Sequence, residues 1–166
     1  MAEKLNAENI EAAVQHLENI QTGKTPILSE LKGNIKEKEK KVFPLIPPSD
    51  PRLLMQVAPF LDETLEQFGF ADRKELSKVM YDNMVKYGGL GLSANQLGLP
   101  YRMFVMGGHP QVEDGKVRTV FNPLINDVSP ESINLKEGCL SFPFLFLSIK
   151  RPKWCSVRYT DENGEE

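Results

Sequence analysis

The spacing of apolar residues in this chain changes character after Gly88-Gly89, and that change limits the fold more than any other feature. Before it, Leu76, Val79, Met80, Met84 and Val85 recur at helical spacing. Asp72 is placed to cap that helix, with Glu75 three residues on as in a capping box, and the glycine pair ends it. After it, the apolar runs are short and β-favouring: Tyr101–Met106, Val117–Phe121, Phe144–Ile149 and Trp154–Tyr159. Turn residues part them, namely Gly107-Gly108, Glu113-Asp-Gly115, Asn122-Pro123 and Arg151-Pro152. Asp161-Glu-Asn-Gly164 is a hairpin signal with two residues after it, as if the chain stopped inside an element of the fold. A helix followed by several strands predicts an α+β domain.

Residues 1–42 differ from the rest. Ile10, Ala13, Val14, Leu17 and Ile20 have helical spacing within Ala7–Ile20, then Gly23, Pro26 and Gly33 interrupt regular structure. Lys36-Glu-Lys-Glu-Lys-Lys41 reads as a solvated charge run. These residues are expected to form an N-terminal extension, a helical segment plus a charged linker, ahead of a domain over 43–166. Pro44, Pro47, Pro48 and Pro51 exclude a regular helix or central strand at the domain's start and predict an extended segment laid across its body. A net charge of −3 gives no electrostatic footprint for direct nucleic-acid binding. No apolar run is long enough to span a bilayer, Leu140–Ile149 being broken by Ser141, Pro143 and Ser148. With no apolar signal core at the N-terminus, a cytoplasmic protein is expected.

Cys139 and Cys155 are expected as free thiols, each open to packing, metal ligation or nucleophilic chemistry. Cys155 alternates with Trp154 and Ser156 in a strand and is expected to pack. Two stretches invite chemistry. Gly89-Leu-Gly-Leu-Ser-Ala-Asn-Gln96 follows the helix, and its small residues permit close backbone approach by a ligand or another chain. It lacks the strand-before, helix-after setting of a dinucleotide fingerprint and the Lys-Ser/Thr of a phosphate loop. Glu137-Gly-Cys-Leu-Ser141 flanks a cysteine with glycine, which lets a thiolate approach a metal without crowding.

In this order and spacing the two stretches resemble the first two of three signature motifs of the peptide deformylases. Ser49-Asp-Pro-Arg-Leu53 resembles an early segment of the same family, and the resemblance runs from about Phe43 to the last residue. It implies an α+β fold of antiparallel strands packed around a central helix. It also implies a metal-dependent hydrolase that removes the formyl group from the N-terminal formyl-methionine of new polypeptides. The implied cofactor is a divalent metal, ferrous iron (Fe2+) first, with Zn2+, Ni2+ or Co2+ as alternatives, held by one Cys and two His. By match to the motifs, Cys139 is the metal ligand, and the Gln96 amide with the Leu140 backbone N–H stabilises the oxyanion. Leu90, Gly91 and Gly138 match the backbone positions that pair with an extended substrate. The implied partners are N-formylmethionyl peptides or nascent chains, hence proximity to the ribosome.

The third motif, HExxH, which supplies both His ligands and the general base, is absent. The histidines here are His16 and His109, neither with a partner at i+4, and both are expected as surface residues. The family places HExxH further beyond Cys139 than the 27 residues that follow it. A C-terminally incomplete deformylase is therefore expected, the HExxH helix missing from this chain. The alternative is a catalytically inactive truncated remnant acting at most as a peptide-binding module. A thiol hydrolase using Cys139 lacks a suitably spaced base. Where several family members carry an Arg, Phe144-Leu-Phe146 is apolar and is expected to be core in preference to a substrate rim. Arg151 and Lys153 are expected as solvated turn charges.

Overall fold

The computed structural model describes residues 41–108 and 113–166. The helical segment Ala7–Ile20, His16 and His109 lie outside the described residues. Helix α1 (Arg73–Lys86) forms as its caps dictate: the Asp72 carboxylate accepts from the Glu75 N–H at 2.7 Å. Glu75 returns its carboxylate to the N–H of Ala71, one residue before the cap. At the other end Gly88 takes φ +70, a left-handed turn that suits glycine. Leu76, Met80 and Met84 are buried, as their spacing predicts. Val85, expected on the same face, is 55% exposed, and Asn83 is buried in its place.

The strands are β1 (Gly91–Ser93), β2 (Met103–Gly107), β3 (Val117–Val128), β4 (Ser132–Cys139), β5 (Phe142–Pro152) and β6 (Cys155–Thr160). A four-stranded antiparallel sheet has the order β1-β2-β3-β6, and β4 with β5 makes a separate hairpin. The fold is α+β. The core lies where α1 covers β1 and β2, with Leu76, Met80, Leu92, Val105 and Phe121 shut off from solvent. Short 3-10 turns at Pro51–Leu53, Asp62–Thr64, Glu66–Phe68 and Ala94–Leu97 carry the chain round it. Among the described residues no helix is long and apolar enough to cross a membrane.

Two asparagines hold the leading segment to this core. Buried Asn83 accepts from the Phe43 N–H at 3.0 Å and donates to the Lys41 carbonyl at 3.1 Å. Lys41, expected among solvated charges, is half-buried instead: its ammonium reaches Glu75 and the Gly69 carbonyl and lies over the Phe70 ring. Asn122 grips Phe60 the same way, accepting from its N–H at 2.7 Å and donating to its carbonyl at 3.0 Å. That grip explains a second departure. Asn122-Pro123 was expected to end a strand, yet β3 runs through it, because the register slips between Phe121 and Leu124. In such a bulge Asn122 takes φ +50 and Pro123 need not donate to the ladder.

Candidate functional site

The turn after β1 sets the first half of the site. The Ser93 side chain caps the turn and receives the Gln96 N–H, while Gln96 Oε1 accepts from the Ser93 N–H at 3.0 Å. With its carbonyl oxygen so engaged, the Gln96 side chain points its NH2 outward. Nε2 donates to Ser141 Oγ at 3.0 Å and stands 4.0 Å from Cys139 Sγ. An amide nitrogen carries two hydrogens, so one serves Ser141 and the other is available on the Cys139 side. Ser141 is buried and Cys139 exposed. Gln96 is thus fixed at both ends before any ligand arrives.

The second half is delivered by the hairpin. Cys139 ends β4, and Leu140-Ser141 turn the chain so that Cys139 faces Phe142. Two glycines allow the halves to close. A Cβ on Gly89 would lie 2.6 Å from Leu140 Cδ1 and 3.0 Å from the Gly91 carbonyl oxygen, so Leu140 packs where a side chain would stand. A Cβ on Gly138 would lie 2.8 Å from the Phe146 ring. At Gly91 a Cβ would make only ordinary contacts, 3.4 Å from the Val105 carbonyl oxygen and 3.9 Å from Met106 Cβ on the neighbouring strand. β1 pairs with β2 on one side, the Leu90 carbonyl accepting from the Gly107 N–H at 3.0 Å, and has no strand on its other side among the described residues. Leu90 is 63% exposed there. The geometry offers a strand edge, a fixed amide donor and an accessible thiol within one small region.

Glu137, next to Gly138, takes two hydrogen bonds of 2.8 Å from Arg151 Nε and Nη2. The guanidinium holds the Glu137 carboxyl below its usual range and is itself shifted up, so both stay charged. Arg151 and Lys153 are therefore not merely solvated: Lys153 reaches Glu131 at 3.1 Å. Two further expectations fail. Phe144 and Phe146 are 97% and 60% exposed and Leu145 is half-exposed, because β4 and β5 form a ribbon apart from the main sheet. Cys155 is exposed, since the outer ends of β3 and β6 where it pairs with Val128 have nothing packed over them among the described residues.

Among the described residues no group of three or more His, Cys, Asp or Glu side chains is placed to hold a metal ion. Cys139 alone does not fit a catalytic centre, which takes three protein ligands. Ser93 and Ser141, which the sequence offered only as members of the two stretches, were given no role of their own although both were legible: Ser93 stands three residues before Gln96, the capping-box spacing, and Ser141 closes the cysteine motif.

A family model for polypeptide deformylase matches residues 49–166. The peptide deformylase of Wolbachia pipientis subsp. Culex pipiens (strain wPip) is 37% identical over 133 residues, covering 75% of this chain and 70% of that protein. That of Wolbachia sp. subsp. Brugia malayi (strain TRS) is 41% identical over 132 residues, covering 70% and 72%. The crystal structure of the Ehrlichia chaffeensis peptide deformylase in complex with actinonin matches with a TM-score of 0.65 at 34% identity, covering 75% of this chain and 72% of that one. Sequence and fold agree, and this chain belongs to the polypeptide deformylase family.

Proposed function

We propose that this chain binds N-formylmethionyl peptides along the open edge of β1 and supplies the oxyanion donors and thiolate of a peptide deformylase, the enzyme that hydrolyses the formyl group. The observation that carries this is the Gln96 amide, held by Ser93 and Ser141 with its second N–H on the side of Cys139. Gly91, on the side of β1 that carries no strand, offers backbone groups to an added strand, and by match to the motifs Leu90 and Gly138 are the further positions that pair with the substrate. A donor fixed in advance stabilises a developing oxyanion without reorganising, and the Leu140 N–H is its companion in this role. Formylated N-termini belong to nascent chains, which places the work near the ribosome in the cytoplasm.

The family implies a divalent ion, ferrous iron first, with Cys139 as its thiolate ligand; such an ion would polarise the formyl carbonyl. The described residues provide that one ligand, so the roles assigned to them are peptide binding and oxyanion stabilisation. The 166 residues contain no HExxH. In this reading the His ligands and general base come from a segment outside them.

Supplying that segment is the test. The full chain is co-expressed with a return strand and HExxH helix from a related deformylase, and release of formate from a formyl-Met peptide is measured with ferrous or cobalt ion. Activity should appear, vanish with Cys139→Ala, and fall about 10²–10³-fold with Gln96→Ala. Deformylation that survives Cys139→Ala would overturn the assignment. The open β1 edge also favours a second reading, a peptide-binding module without catalysis. That reading requires a complemented, folded protein which holds the peptide and stays inert.

A further inference from the structure

A cavity of about 150 Å³ lies between the leading segment and the turn that carries Gln96. Val57, Ala58, Leu99 and Pro100 supply its apolar walls. Met55 also lines it but is 63% exposed, so its side chain does not fill the space. None of these residues belongs to β1 or to the Leu140-Ser141 turn. Two polar side chains reach the same space. Asn95 lines it, and among the described residues its amide has no hydrogen-bond partner. Arg52 lines it too, but Asp50 takes its Nε and Nη2 at 3.0 Å and 2.6 Å, so its charge is already balanced. The walls themselves carry no carboxylate. An apolar space with one unsatisfied amide and no net charge favours a neutral ligand with a single polar group. A volume of this order takes one small aromatic molecule.

We propose that this cavity is a binding site for a compact, neutral aromatic molecule with one hydrogen-bonding group, which meets the Asn95 amide. Its place gives such a ligand a hold on the Gln96 turn. The Ile46 N–H donates to the Gln96 carbonyl at 2.9 Å. A Cβ on Gly98 would lie 3.0 Å from Arg52 Nη1 and 3.3 Å from Ile46 Cγ2, so the leading segment packs directly on this turn. A ligand lodged between Val57 and Leu99 braces the two against each other. Asn95 is the neighbour of Gln96 in the chain, so the bound molecule is felt at the Gln96 amide. The site stands apart from the peptide-binding reading, since it uses neither the β1 edge nor the thiol.

Indole, an aromatic molecule of this size with a single N–H, is the probe. It is titrated into the full 166-residue chain and followed by amide NMR. The side-chain NH2 signals of Asn95 and Gln96 and the Gly98 N–H should move together and saturate, with a Kd of about 1 mM. N-methylindole, which cannot donate, should bind about fivefold more weakly, and Asn95→Ala should erase that difference. Ala58→Phe, a change at an exposed position, should abolish the response with the melting midpoint unchanged. A wild-type chain without a saturable response overturns the inference, as do shifts confined to the exposed Phe144 and Trp154. So does an indole response that survives Ala58→Phe and matches that of N-methylindole. No formylated peptide enters the measurement, so each of these results leaves the deformylase reading standing.

Discussion

Replacing Asn83 with Ala tests how the leading segment supports the site. Asn83 is 1% exposed and makes three side-chain hydrogen bonds: to the Phe43 N–H at 3.0 Å, the Lys41 carbonyl at 3.1 Å and the Val79 carbonyl at 2.8 Å. The Val79 carbonyl keeps its helical partner, but the groups on Lys41 and Phe43 lose theirs in half-buried surroundings. Each such loss costs about 1–3 kcal/mol where water cannot enter and less where it can, so ~2–3 kcal/mol in all is expected. For a body the size of Lys41–Glu166 the unfolding entropy is ~0.26 kcal/mol/K, which converts that loss to a fall of about 10 °C in melting midpoint. The consequence reaches the site. The same segment ends with the Ile46 N–H donating to the Gln96 carbonyl at 2.9 Å, so loosening it frees the turn that holds the Gln96 amide. Thermal melts and formyl-Met peptide affinity are measured on wild type, Asn83→Ala and Tyr87→Phe. The last removes one bond of 2.7 Å to the Phe43 carbonyl and should cost only about 1 kcal/mol. A midpoint for Asn83→Ala within about 2 °C of wild type would show that the segment is not held by this clamp.

Gly89→Ala should destabilise by about 1–2 kcal/mol through its contact with Leu140, and Leu140→Ala in the same chain should recover part of the loss; strictly additive effects in a double-mutant cycle would contradict that contact. Removing residues 1–40 should leave the midpoint within about 2 °C, whereas starting at Leu45 should lower it by several degrees, since Lys41 and Phe43 are then lost; equal melts for the two would refute the difference. Arg52 holds the Asp50 carboxyl at about 2 against a usual 3.8, through its side-chain and then its backbone hydrogen bond, and Arg151 likewise depresses Glu137 from 4.5. Depressed carboxyls stabilise fully above their unfolded pKa and lose that contribution as pH falls through the folded one. The gap in urea midpoint between wild type and Arg52→Gln should therefore shrink from pH 4 towards pH 2, and that for Arg151→Gln from below pH 4.5; gaps independent of pH in those windows would refute both pairs. Equilibrium dialysis of the chain alone should find weak cobalt or zinc binding, as expected of a single thiolate; tight stoichiometric binding abolished by Cys139→Ser would mean that further ligands lie within the chain.

What the sequence determined by itself lay within reach of a few neighbouring residues. Asp72 and Glu75 open α1 and Gly88 closes it because each acts on backbone groups at most four residues away. The change to short β-favouring runs placed β2, β6 and the start of β3 for the same reason, and two motifs in order were enough to indicate the family. The register of β3 was not legible, since its passage through Asn122-Pro123 depends on a grip on Phe60, 62 residues earlier. Nor was β4, where Glu137-Gly138 speaks locally against a strand and only the partner β5 supplies the ladder. The site itself belongs to this second kind. Gln96 and Ser141 meet across 45 residues, and the space that lets them meet is the missing side chain of Gly89 under Leu140. The exposure of Phe144 and Cys155 was decided there too. An apolar or thiol side chain declares a tendency to be buried, but whether it is buried depends on what the fold brings against it, and against these two the described chain brings too little to cover them.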